Sequence, residues 1–184
     1  MYYTARYESV IGPMILASDG RNLVGLWNEG QKYFAATLKE NFAEKPELPV
    51  FADTKKWLDA YFAGEQPAIS SLPLAPSGSE FRQAVWKKLC GIPYGTCVTY
   101  GSIAREIAHN MGKKTMSGQA VGGAVGHNPI SIIIPCHRVI GANGNLTGYA
   151  GGIDKKIRLL THEGLDTAQF SLPRKGFGEM PRRN

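Results

Sequence analysis

The apolar residues of the first 27 positions fall in three short runs of strand length, residues 2–9, 13–17 and 23–27. Gly12-Pro13 and Ser18-Asp19-Gly20 stand between them, so the pattern predicts an antiparallel meander. From residue 33 the spacing becomes helical. Helices are expected over 33–41 and 54–62; the second has an apolar stripe of Trp57, Leu58, Tyr61 and Phe62 and a stop at Gly64. Residues 66–78 are rich in Pro, Ser and Ala without period and read as a linker. The helical period returns at 80–90, with Phe81, Val85, Trp86 and Leu89 on one face, and ends at Gly91-Ile92-Pro93-Tyr94-Gly95. Further helices are expected at 102–108, at 118–126 behind the capping residue Ser117, and at 153–160. The apolar run 130–134 reads as a short buried strand that stops at Pro135. These elements predict an α+β protein. A small N-terminal domain (1–76) carries a three-stranded antiparallel sheet with helices. A mostly helical domain (77–164) and a basic tail (165–184) follow.

The helices at 102–108 and 118–126 flank a polar, basic loop, a helix-turn-helix-like arrangement. Ala120, Gly122, Gly123, Ala124 and Gly126 leave the second almost bare. Glycine weakens a helix, so this many need a reason: tight packing on another element, or close approach to a ligand. A helix about 10 Å across does not fit a minor groove about 6 Å wide unless its side chains are small.

Charge sharpens the division. Residues 1–76 hold seven Lys/Arg against nine Asp/Glu, and residues 77–184 hold fourteen against six, within a net charge of +6. The basic half carries Lys87-Lys88, Lys113-Lys114, Lys155-Lys156, Arg158, Arg174-Lys175 and Arg182-Arg183. Such asymmetry points to a polyanion partner, most simply nucleic acid. The chain has 184 residues and three cysteines, Cys90, Cys97 and Cys136. An odd count without a secretory signal at Met1-Tyr2-Tyr3 argues for the reducing cytosol. No Cys/His cluster has metal-ligand spacing, so no zinc site is expected. Residues 115–137 lack Asp, Glu, Lys and Arg, but Gln119, His127, Asn128 and Pro129 argue against a membrane span.

Pro135-Cys136-His137-Arg138 sets a thiol beside an imidazole at the end of the apolar run. A histidine, directly or through water, can take the thiol proton and leave the reactive thiolate. Alone the pair also fits a cysteine that merely fills the core. Around it lie Gly122-Gly123, Asn128-Pro129, Ile134-Pro135-Cys136-His137-Arg138-Val139, Gly148-Tyr149-Ala150-Gly151-Gly152 and His162-Glu163-Gly164. At these spacings residues 81–164 resemble the O6-alkylguanine-DNA alkyltransferases, the methylated-DNA–protein-cysteine methyltransferases; the N-terminal domain resembles them more loosely.

The resemblance implies a ribonuclease H-like N-terminal domain and direct, stoichiometric transfer of the alkyl group of O6-alkylguanine, and also of O4-alkylthymine, to Cys136. It implies no cofactor. The partner is double-stranded DNA, met by a monomer from the minor groove with the damaged base flipped out. By matching position, Cys136 is the nucleophile, His137 takes its proton through a bridging water, and Glu163 orients His137. Asn128 ties the turn before the site, and Tyr100 donates to N3 of the leaving guanine. Val139, Tyr149, Ala150 and Gly151 line the base pocket, with the carbonyls of Cys136 and Val139 accepting from the guanine amino group. Gln119, Ala120, Gly122, Gly123, Lys113, Lys114 and Arg138 face DNA. The chain departs from the family at Gln119, where the best-known members insert an arginine, at Ala150, where some have serine, and in lacking N-terminal zinc cysteines. The alternative reading is a non-enzymatic lesion sensor, which would lack the reactive cysteine. A cysteine hydrolase and a transcription regulator fit less well.

Overall fold

The computed structural model describes residues 1–38 and 41–172. The basic pairs Arg174-Lys175 and Arg182-Arg183 lie outside the described residues.

Strands β1 (Tyr2–Ser9), β2 (Gly12–Ser18) and β3 (Leu23–Asn28) form the expected antiparallel meander. A short strand not foreseen from sequence, β4 (Phe42–Glu44), adds parallel to β1 and gives the order β3-β2-β1-β4. Every residue of β3 is buried, because both faces are covered. Leu23 and Leu26 join the main core; Val24 and Trp27 join a smaller cluster with Ala17 and Leu38. Gly25 makes this feasible: a Cβ there would lie 1.9 Å from the Trp27 ring.

The helix expected over 33–41 does not form in the described part of that segment. Tyr33 and Ala35 take φ of 62° and 51°, left-handed values that end a right-handed helix at once. Tertiary contacts hold this path: Phe34 packs on Trp27 at 5.1 Å between centroids, and Leu38 is buried. Helix α1 (Pro49–Phe62) begins earlier than its stripe suggested, with proline in its first turn where no amide donor is needed. It buries Val50, Phe51, Trp57, Leu58 and Tyr61 in the main core.

The outer edge of β3 is not left open. The Leu23 amide donates to Pro73 O (2.8 Å), and the Ala75 amide to Leu23 O (2.9 Å). Further along, the Leu26 amide donates to Pro129 O (2.8 Å) and the Ser131 amide to Leu26 O (2.9 Å). The segment read as a linker and the segment before Cys136 thus cap the same edge. One core crosses both halves and includes Cys136.

Helices α2 (Glu80–Cys90), α3 (Tyr100–Asn110) and α4 (Gly118–Gly126) pack together, with α3 and α4 in the expected helix-turn-helix-like succession. Ser79, Thr99 and Ser117 cap their first turns. Trp86 of α2 is 1 % exposed and donates its indole N–H to Ala124 O of α4 at 2.9 Å. Burying such a side chain is worth about 1.5–3 kcal/mol, so it fixes α4 firmly. Strands β5 (Val98–Thr99) and β6 (Val139–Ile140) pair in parallel, and α5 (Ile153–His162) closes the domain. The first residues of the tail are packed: Leu165 and Phe170 join Ile140, Leu146 and Leu160, and Leu146 N donates to Ser171 O at 2.8 Å.

The expected strand at 130–134 is replaced by a buried turn. Only Ile130 bridges to β3, and Ile132 takes φ 71°, an outlier for a β-branched residue. The cause is Asn128. Its Oδ1 accepts from the Ile130 amide (3.0 Å), and its Nδ2 donates to Ile134 O (2.8 Å) and Ile130 O (3.3 Å). A side chain that replaces backbone partners holds the segment out of a ladder.

Candidate active site

Cys136 opens a single 3-10 turn, Cys136–Arg138, between the Asn128-held turn and β6. All three of its residues are buried. Glu163, just past α5, is 4 % exposed and is the hub of the site. Its Oε1 accepts from His137 Nε2 (2.6 Å), Tyr61 OH (2.8 Å) and Arg138 Nη2 (3.0 Å). Its Oε2 accepts from Arg138 Nε (2.9 Å) and the Gly95 amide (3.1 Å). Burial alone would raise the Glu163 pKa, but His137 and Arg138 outweigh it and bring it down to about 2.

Burial pushes the His137 pKa down, and the charges of Arg138 and Lys156 push the same way against Glu163, so the resting imidazole is neutral. With Nε2–H given to Glu163, Nδ1 is the acceptor; it is buried with no protein partner among the described residues. Burial likewise raises the Cys136 thiol. The Asn128 side chain, Lys156 and the Ile132 amide oppose that rise, so the groups that favour thiolate are already in place.

Tyr100 starts α3 directly after β5, so the β5–β6 ladder sets it beside the Cys136 turn. Its hydroxyl donates to Thr147 O at 2.9 Å, and burial, then Cys136, raise its pKa and keep it protonated. Tyr149, Ala150 and Gly151 form a loop over the site. A Cβ on Gly151 would lie 2.7 Å from Asn28 Nδ2 and 2.8 Å from the Tyr149 ring, so only glycine fits. A cleft of about 370 Å³ opens between this loop and α4; Gly122, Gly123, Gly126, Thr147 and Tyr149 line it, with Lys32 and Tyr33 of the N-terminal domain at its side. Of the carbonyls expected to receive the guanine amino group, Cys136 O accepts from the Val139 amide and Val139 O from Lys156 Nζ at 2.5 Å.

The structure thus brings together Cys136, His137, Glu163, Tyr100, Asn128, Val139 and Tyr149. Gln119, Ala120, Gly123, Lys113 and Lys114 are exposed on or just before α4, outside this buried cluster. Arg138 is a correction. It is 7 % exposed and spends its guanidinium on Glu163 and on Ile92 O (2.6 Å), so it does not face DNA. The glycines of α4 have no steric reason within the protein. An added Cβ at Gly118, Gly122 or Gly126 would meet its nearest neighbour at 3.8–3.9 Å, ordinary contact, and at Gly123 nothing.

The sequence counts Lys156 among the cations of the basic half. It is fully buried, bonds Val139 O and Thr147 O (2.9 Å), and burial lowers its pKa to about 8. Its position three after Ile153 and four before Leu160, on the apolar stripe of α5, was the available signal. Tyr61 was read only as core. Among the described residues no group of His, Cys, Asp and Glu could hold a metal, and no helix is long and apolar enough to cross a membrane.

Two family models cover most of the chain. The ribonuclease-like domain of 6-O-methylguanine DNA methyltransferase matches residues 1–76, and the DNA-binding domain of the same family matches residues 80–165. The chain is 47 % identical to a methylated-DNA–protein-cysteine methyltransferase of Methanosarcina acetivorans, over 89 % of this chain and 99 % of the relative. It is 40 % identical to the one of Haemophilus influenzae, over 89 % and 86 %. The crystal structure of Mycobacterium tuberculosis O6-methylguanine methyltransferase is similar, with TM-score 0.75 and 42 % identity over 89 % of this chain and 93 % of that one. M. tuberculosis OGT in complex with DNA is similar with TM-score 0.74 and 41 % identity, over 92 % and 94 %.

Proposed function

The chain belongs to the 6-O-methylguanine DNA methyltransferase family, and from that premise we propose that it repairs DNA by moving the alkyl group of O6-alkylguanine onto Cys136. The observation that carries this reading is the sequence of buried partners behind one cysteine: His137 at 2.6 Å from a Glu163 whose two oxygens are filled by five donors. Duplex DNA lies against α4, whose glycines answer no need of the protein's own packing. Gln119, Ala120, Gly122 and Gly123 enter the minor groove, and Lys113 and Lys114 meet phosphates. The damaged nucleotide flips into the cleft beside Tyr149, Ala150 and Gly151.

In the reaction the resting thiol gives its proton through a water to Nδ1 of His137. Glu163 stabilises the imidazolium without taking the proton, the role of the carboxylate in a triad. The sulfur then attacks the alkyl carbon. A sulfur–carbon bond forms, the carbon–O6 bond breaks, and its electron pair stays with the base. Tyr100 donates to N3 of the departing guanine, so that it leaves as a neutral base. The thioether has no leaving group of its own, so each chain acts once. O4-alkylthymine presents the same alkyl–oxygen bond and is a secondary substrate. The reading has the protein act as a monomer in the cytoplasm.

The test is to incubate the protein with duplex DNA carrying O6-methylguanine and map its peptides by mass. A methyl group on the peptide of Cys136, absent in Cys136→Ser, is expected. Binding of the lesion without transfer would favour a sensor.

A further inference from the structure

The transfer site draws one of its parts from the N-terminal domain. Tyr61 lies on the last turn of α1, is 1 % exposed, and donates to the same Glu163 oxygen that accepts from His137. Its placement is over-determined. The ring stacks on Trp57 at 5.7 Å between centroids and meets Tyr94 edge-on at 6.1 Å, and its carbonyl oxygen bonds His162 Nε2 at 2.7 Å. Removal of the hydroxyl would leave that packing intact.

We propose that Tyr61 is a positioning residue of the transfer site, whose hydroxyl holds the Glu163 carboxylate so that it orients His137 without drawing a proton onto it. A carboxylate oxygen that already accepts two other donors is a weaker base toward a third. His137 then stays neutral at cellular pH, the form able to receive the Cys136 proton. The other groups facing the pair are fixed: Arg138 and the Gly95 amide on Glu163, Tyr94 and His162 beside Tyr61, and Lys156 and Cys97 farther off. Of these, Tyr61 is the donor to Glu163 that comes from the ribonuclease-like domain, so that domain has a chemical part in the site beside its structural one. The proposal rests on the transfer reading above for its consequence, but its core concerns the free protein.

The experiment follows the His137 ring signal by NMR against pH in the wild type and in Tyr61→Phe. It then measures methyl transfer from O6-methylguanine duplex over the same pH range. Loss of the donor is expected to raise the His137 midpoint by about half to one unit, and the acid limb of the rate profile with it. A purely structural tyrosine would lower the rate at every pH and leave the midpoint in place. Equal midpoints in the two proteins overturn the proposal. A raised midpoint in a protein that transfers no methyl would uphold Tyr61 and sink the transfer reading instead. Should Tyr61→Phe fail to fold, 3-fluorotyrosine at position 61, a stronger donor of the same shape, decides: the midpoint must fall, and an unmoved midpoint overturns the proposal.

Discussion

The buried hub at Glu163 and the exposed face of α4 lie in one small domain and are built on opposite principles. At the hub both carboxylate oxygens are engaged: five donors fill them, and three of these come from His137 and Arg138 of a single turn. On α4 the outward positions carry almost nothing, and the helix gives up stability at each glycine. Chemistry here needs a rigid, satisfied, water-poor environment, because a half-satisfied charge in the interior is costly. Recognition of a polyanion's groove needs room and exposed cations instead.

The largest effect should come from the hub. Glu163→Gln leaves His137 without its orienting anion and Arg138 buried without its counter-charge. We expect the single-turnover rate at saturating DNA to fall by about 100-fold or more, and the chain to lose about 3–5 kcal/mol of stability. Stopped-flow transfer and chemical denaturation measure the two. DNA affinity should hardly change; an equal loss in both would erase the division between the regions.

Acid should act on the same group. The Glu163 pKa is depressed from 4.5 to about 2 on folding, so its contribution to stability is complete above about pH 4.5 and is lost as pH falls toward 2. Thermal midpoints of the wild type should drop through that window. Those of Glu163→Gln should be lower above that window and flatter within it. Parallel curves would mean that this carboxylate is not the titrating hub.

The bare helix answers in the opposite sense. Gly123 faces open space, so Gly123→Ala should stabilise α4 by about 0.5–1 kcal/mol. It should weaken DNA binding by about 1 kcal/mol, roughly fivefold. Calorimetry and fluorescence anisotropy give both numbers, and an unchanged affinity would return the glycines to accident. The smallest effect belongs to Lys113→Ala: slightly weaker binding at any sequence, and a salt slope shallower by about 0.9.

The two regions also differ in how plainly the sequence announced them. The meander, the helical face of α2 and the capped start of α4 were legible because turn residues, periodicity and caps are local signals, and the pairing of His137 with Glu163 was legible through the family resemblance alone. The turn at 130–134 was not. Its apolar run fits a strand, and the side chain that prevents one, Asn128, acts through tertiary geometry. The helix at 33–41 failed for a similar cause, a left-handed path held by contacts with distant residues. The resemblance set Arg138 toward DNA and composition set Lys156 in the basic half, yet each is buried on a partner that only the fold brings near. Charge composition identifies a basic half; it does not say which cations face outward.

If Cys136 is the acceptor, each molecule is spent in one transfer. A large excess of duplex carrying O6-methylguanine, with restored guanines counted against protein chains, decides this. Repair should stop at one guanine per chain, with the methyl on Cys136. Continued turnover, or repair that leaves Cys136 unmodified, would rule out Cys136 as a spent acceptor.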